Sequence, residues 1–257
     1  IFSVNVNPLG MPNFVWEAAQ RSIAFCTGYP DSSCENLRGR LSEVTGVPED
    51  QMIFGNGAAE LIFRLVQEIR PKKAVIPAPS FAEYETALRS CGTEIAFFYL
   101  KEAESFFLNV SEFLDFLRTE QPEIIFLCTP ANPTGAMIRQ ADLSKILDYC
   151  RKHGILLVLD ECFVEFLDEE RSCGCIREFL DWETGRPEHG GSLFLLRAFT
   201  KTYAMAGLRL GYGFCTSREL LDRLETNWQP WSVSIPAQEA GYAALSEERI
   251  PFLKKMR

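Results

Sequence analysis

Three short stretches of this chain are apolar without a break: residues 124–128 (Ile-Ile-Phe-Leu-Cys), 155–159 (Ile-Leu-Leu-Val-Leu) and 193–196 (Leu-Phe-Leu-Leu). A strand with one wet face alternates apolar and polar residues, so a run without alternation needs cover on both faces. At four or five residues between turn formers, these runs read as buried strands. Residues 51–54, 73–76, 93–99 and 210–214 add four more strands, which makes seven. Helix-like spacing fills 13–25, 58–69, 82–90, 109–119 and 140–153, and a further helix starts near Pro236. Ser32 with Glu35 reads as a capping box for a helix stopped at Gly46, and Thr216 with Glu219 as the start of a helix to Glu225. Strands alternating with helices predict an α/β fold: a mainly parallel seven-stranded sheet with helices on both faces.

With 257 residues, the chain has room for one large domain or one plus a fragment, at about 150 residues per domain. A net charge of -9 argues against a nucleic-acid partner. No apolar run approaches the ~20 residues of a membrane span, and no leader pattern opens the chain. Nine scattered cysteines, several in apolar surroundings, fit reduced thiols in a cytoplasmic protein better than a disulfide framework. Cys173-Gly174-Cys175 is the only close pair and there are two histidines, so the pair reads as a loop with two free thiols and no metal site is expected.

The chemistry-bearing residues follow strands. Lys201 comes just after the 193–196 run. Burial at a strand end disfavours an ammonium and frees the amine as a nucleophile toward carbonyl compounds. Thr200 and Arg209, the latter between Gly207 and Gly211, offer a hydroxyl and a charge to an anion. Gly57, Ala58 and Ala59 stand between a strand and a helix, where free backbone N–H groups and the helix dipole favour anions. Phe81 can lie on a ring, Asn132 can hydrogen-bond a hydroxyl, and Asp160, at the end of a buried strand, needs a cationic partner. Each has a plainer reading alone: a surface lysine, a tight strand-to-helix turn, a core phenylalanine, a turn asparagine, a helix-capping acid. Together, in a sheet that binds ligands at the carboxyl ends of its strands, they suit an aldehyde, a phosphate, a ring, a hydroxyl and a pyridinium. Those are the groups of pyridoxal 5'-phosphate.

On Gly55-Asn56-Gly57-Ala58-Ala59-Glu60, Pro79-Ser80-Phe81, Asn132-Pro133-Thr134-Gly135, Asp160-Glu161 and Thr200-Lys201 through Arg209, the chain resembles the fold-type-I pyridoxal-phosphate enzymes of the class I/II aminotransferase family. It is similar to the branch holding threonine-phosphate decarboxylases, which serve the aminopropanol arm of cobalamin biosynthesis, and histidinol-phosphate aminotransferases. The segment from Ser3 to Pro12, Phe81-Ala82-Glu83-Tyr84, Pro230-Trp231-Ser232-Val233 and Phe163, which stands where the aminotransferases carry a tyrosine, look like the decarboxylases. Met205-Ala206 looks more like the aminotransferases.

The resemblance implies Lys201 and Asp160 as catalytic residues. It implies cofactor contacts from Gly57, Ala58, Ala59, Phe81, Asn132, Asp160, Thr200, Lys201, Arg209 and, across a homodimer interface, Tyr29. Substrate contacts fall to Asn5, Gly10 and Asn132, and the substrate is a small phosphorylated amino acid. The expected reaction is decarboxylation of O-phospho-L-threonine to aminopropanol phosphate. The alternatives are histidinol-phosphate transamination and a cofactor-binding fragment without turnover. The implied organisation is an N-terminal arm and helix over 1–28, a large domain over 29–228 and the start of a small domain over 229–257, cut short together with the substrate-carboxylate arginines it carries.

Overall fold

A computed structural model describes residues 5–168, 174 and 193–257. Seven strands form one sheet: β1 (Met52–Gly55), β2 (Lys73–Ala78), β3 (Glu94–Tyr99), β4 (Ile124–Cys128), β5 (Leu156–Asp160), β6 (Leu193–Ala198) and β7 (Gly211–Cys215), in the spatial order β1-β7-β6-β5-β4-β2-β3. β7 runs antiparallel to both its neighbours, and every other pairing is parallel. β1 therefore points the same way as β2 to β6. The helices are α1 (Asn13–Ser22), α2 (Glu35–Thr45), α3 (Gly57–Ile69), α4 (Ala82–Ser90), α5 (Val110–Glu120), α6 (Gln140–His153), α7 (Phe199–Thr202), α8 (Arg218–Thr226), α9 (Ile235–Ala244) and α10 (Arg249–Met256).

The unbroken apolar runs are explained by two cores. On one face Ile125, Leu127, Leu157, Leu159, Leu193 and Leu195 pack with residues of α1, α2, α5, α6 and α9. On the other, Ile124, Phe126, Leu156, Val158, Phe194 and Leu196 pack with residues of α3, α4 and α8. Every second residue thus serves a different core, and none is free to be polar. Leu157 is fully buried, and truncating such a side chain to alanine costs about 2–5 kcal/mol. α1 packs along α9, whose inward face is Ala237, Ala240, Gly241 and Ala244. A Cβ on Gly241 would run into Leu210.

Two helix starts differ from the sequence reading. At α2 the N-cap position falls on Cys34, and the first helical N–H is held by Asp31, not Ser32: its carboxylate accepts the Glu35 N–H at 2.6 Å and the Ser33 N–H at 2.9 Å. A carboxylate offers two acceptor oxygens, so one side chain takes both N–H groups. Burial pulls the Asp31 carboxyl upward, but the Ser33 hydroxyl, which donates to it at 2.6 Å, together with these two bonds outweighs burial and holds the carboxyl below its usual value. At α8 the cap is Ser217, which accepts from the Leu220 N–H at 3.2 Å, not Thr216. α2 does stop at Gly46, whose φ of +77° is costly for any residue with a Cβ. Cys173, Cys175 and His189 lie outside the described residues. Among those described, the cysteines are free, no acid-and-thiol cluster is placed to hold a metal, and no helix is long and apolar enough to cross a membrane.

Candidate active site

The turns after β1, β2, β4, β5 and β6 all open on the carboxyl edge of the parallel strands. Arg209 reaches the same edge by another route: it stands two residues before β7, the antiparallel strand, whose amino end lies there. These segments enclose a cavity of about 110 Å³ lined by Ala58, Ala59, Phe81, Asn132, Asp160, Cys162, Phe163, Ala198, Thr200, Lys201 and Arg209.

Its anion-facing wall is the first turn of α3. Asn56 does not cap that helix; its side chain turns away and donates to the Ser232 carbonyl at 3.1 Å. The first-turn N–H groups are therefore left for a ligand. Gly57 has φ +81°, and a Cβ there would collide with the Arg209 guanidinium. A Cβ on Gly211 would meet the backbone of Gly57 and Ala58. Arg209 has φ +63°, a conformation that costs a non-glycine residue roughly 1–2 kcal/mol. Its terminal nitrogens donate to the carbonyls of Ala206 (3.1 Å) and Asn56 (3.3 Å), which pins the guanidinium beside the α3 N-terminus.

At the other end lies Asp160, buried, with both carboxylate oxygens engaged. Oδ1 accepts the Cys162 N–H at 2.9 Å and Oδ2 accepts the Tyr84 hydroxyl at 2.6 Å. Both donors are neutral, and among the described residues no cationic side chain pairs with it. A buried carboxylate held this way is completed by a cationic N–H. Tyr84 is fully buried, stacked on Phe126 (4.9 Å between centroids) and edge-on to Phe81 (5.5 Å). Burial and the Asp160 charge push its phenol well up, so it remains a donor. Burial likewise pushes up the Cys162 and Cys128 thiols flanking Asp160.

Lys201 sits on the short helix α7, half-buried, not in the interior expected from its place after a strand. Its Nζ is 5.7 Å from the centre of the Phe163 ring, a cation–π distance. A second, more open cavity of about 420 Å³ shares Asn132 and Phe163 with the first and is walled by Asn5, Val6, Pro130, Pro133, Phe166 and Leu167 among others. Asn5 Nδ2 lies 3.5 Å from Asn132 Oδ1. Asn7 holds the arm in place, its N–H donating to the Lys201 carbonyl (3.0 Å) and its Nδ2 to the Thr202 carbonyl (2.9 Å).

Nine of the predicted cofactor positions thus meet around one edge: eight line the cavity and Gly57 backs its wall. Tyr29 does not join them within the chain; it is 79% exposed and stacks on Trp231 at 4.4 Å. Gly10 turns the arm at φ +78° and lines neither cavity. Sequence reasoning gave no role to Tyr84, Cys162 or Asn7. Tyr84 had a signal: it stands three residues after Phe81, one helical turn on.

The whole chain, residues 1–257, matches the family model of class I and II aminotransferases, and the protein belongs to that family. It is 36% identical over 246 residues to the threonine-phosphate decarboxylase of Salmonella typhimurium, an alignment covering 96% of this chain and 64% of that protein. The chain therefore spans a little under two thirds of that relative's length. Among solved structures, the histidinol-phosphate aminotransferase of Clostridium acetobutylicum superposes with a TM-score of 0.85 at 25% identity, over 99% of this chain and 71% of that one. The Sinorhizobium meliloti histidinol-phosphate aminotransferase, solved in complex with pyridoxal-5'-phosphate, gives 0.83 at 18% identity over 98% and 65%.

Proposed function

We propose that this chain binds pyridoxal 5'-phosphate and forms part of a lyase that decarboxylates O-phospho-L-threonine to aminopropanol phosphate. The observation carrying the cofactor reading is the single cavity in which an amine, a neutral-donor-held carboxylate, a ring, an amide and an anion cradle meet. The cradle tolerates no Cβ at Gly57 or Gly211, and the carboxylate lacks only a cation.

When bound, the cofactor supplies an aldehyde that joins an amine and a protonated ring that accepts an electron pair. Around it each residue has one task. Ala58, Ala59, Thr200 and Arg209 would hold the phosphate. Phe81 would cover a ring face, Asn132 would donate to the ring hydroxyl, and Asp160 would keep the ring nitrogen protonated. Lys201 would hold the aldehyde, and its free amine would be the group that returns a proton to substrate carbon. Asn5, at the mouth shared by the two cavities, contacts substrate. The same reading makes the protein a cytoplasmic homodimer in which Tyr29 of one protomer reaches the phosphate held by the other.

The likeness in sequence to a threonine-phosphate decarboxylase and Phe163 in place of a tyrosine support the decarboxylase. Met205-Ala206, which looks more like the aminotransferases, supports transamination as the second reading. The test is to offer O-phospho-L-threonine without a keto acid. Release of CO2 supports the lyase; transfer of the amino group from histidinol phosphate to 2-oxoglutarate supports the alternative. If neither occurs, but an absorbance band near ~400 nm is present in the wild type and absent from Lys201→Ala, the chain binds the cofactor without turnover.

A further inference from the structure

Next in sequence to the cavity-lining Asp160 and Ala198 stands a buried ion pair with no part in the chemistry above. Arg197, the penultimate residue of β6, points two nitrogens at one oxygen of Glu161: Nε at 3.1 Å and Nη2 at 2.6 Å from Oε2. Their side chains are only 6% and 1% exposed. Burial works against the charge on Arg197, but the Glu161 carboxylate outweighs it and holds the guanidinium charged. Tyr212 stands directly across from Arg197 on β7. Gly174 closes over the pair with φ +57°, where a Cβ would strike Glu161.

Stability alone is a weak reason for such a pair. A buried ion pair is often matched or bettered by apolar residues of the same volume, because desolvation cancels most of the attraction. Its placement suggests geometry instead. The β5–β6 ladder ends at the pairing of Asp160 with Leu196, closed by the Glu161 N–H to the Leu196 carbonyl at 2.8 Å. Beyond it β5 gives way to the turn after Asp160, while β6 runs on beside β7 to Ala198 and enters α7. One partner of the pair is covalently next to Asp160, and the other stands four residues before Lys201. Two charge-assisted bonds from Arg197 tie the residue after Asp160 to β6 where the β5–β6 ladder no longer does.

Building on the cofactor reading above, we propose that Glu161 and Arg197 are positioning residues that fix the spacing between Asp160 and Lys201, and so set the fit of a ligand bound at both. Near-correct placement matters steeply: a shift of about 1 Å can cost about a hundredfold in a reacting site.

The experiment uses the whole chain with pyridoxal 5'-phosphate, reading melting temperature, cofactor dissociation constant, and the wavelength and pH midpoint of the lysine-linked absorbance band. The informative variant is Glu161→Met/Arg197→Met, which removes both charges of the pair together. The expected result is a cooperative melting transition, showing that the chain folds, with cofactor held about tenfold or more weakly and a shifted band. Arg197→Lys keeps the charge but loses the fork, and is expected to weaken the cofactor in the same direction. It supplies the readout if the double variant does not fold. Unchanged affinity and spectrum in whichever of these variants folds would overturn the proposal and leave the cofactor reading intact. If the wild type shows no band that Lys201→Ala removes, the cofactor reading fails and the clamp fails with it.

Discussion

Replacing Tyr84 by phenylalanine isolates one bond at the heart of the site. The ring is fully buried against Phe126 and Phe81, so phenylalanine preserves the packing and removes only the hydroxyl that donates to Asp160 at 2.6 Å. A hydrogen bond to a charged group contributes about 1.5–3 kcal/mol. For a loss of ~2 kcal/mol, a chain of this size melts roughly 4–8 °C lower. The pH dependence carries the sharper test. The Tyr84 phenol is pushed well up in the fold, whereas in the unfolded chain it ionises near about 10. Above that pH the unfolded state has lost a proton that the folded state keeps, so Tyr84 makes stability fall as pH rises, by about 1.4 kcal/mol per unit. The variant lacks that phenol, so the gap between the two proteins, near ~2 kcal/mol at pH 8, narrows above pH ~10. Urea unfolding of both proteins at pH 8, 10 and 11 measures it. Equal stability at pH 8, or a gap that widens at pH 11, would refute the account of this bond.

Gly211→Ala places a methyl against the backbone of Gly57 and Ala58, which cannot move aside as a side chain can. Overpacking of this kind costs about 1–3 kcal/mol, and calorimetry together with cofactor titration is expected to show lower stability and a weakened phosphate grip. Asp31→Ala removes the observed α2 cap and is expected to cost about 1 kcal/mol in denaturant melts, while Ser32→Ala stays within about 0.5; the reverse order would restore the capping box at Ser32. Burial pushes the Cys34 thiol up to about 12 and Cys215 up to about 11, whereas Cys26 is exposed. Iodoacetamide at pH 8, followed by mass spectrometry, is therefore expected to modify Cys26 well before Cys34 and Cys215.

Much of the site was legible because its residues stand at strand ends, and strand ends are written in the hydropathy pattern. Gly57, Phe81, Asn132, Asp160 and Lys201 each follow an apolar run, and a parallel sheet brings such positions to one edge whatever the details of packing. Arg209 was legible for its charge and flanking glycines, but its arrival depends on β7 running antiparallel, a choice that local pattern does not encode. Both caps were placed one residue away from the side chain that serves them, Thr216 for Ser217 and Ser32 for Asp31, since which of several neighbouring oxygens reaches a given N–H depends on backbone angles that a motif does not specify.

Left to itself, the order of residues determined a two-faced sheet, the edge at which chemistry collects, and the kinds of groups gathered there. Those follow from periodicity and from what each side chain can donate, accept or attack. Contacts between distant segments were decided only by folding: Tyr84 on Asp160, Arg197 on Glu161, Asn7 on the turn carrying Lys201. Each joins atoms from different elements across gaps of less than 3.5 Å. Distances of that size are set by how whole helices and strands pack against each other, and no local stretch of sequence contains that information.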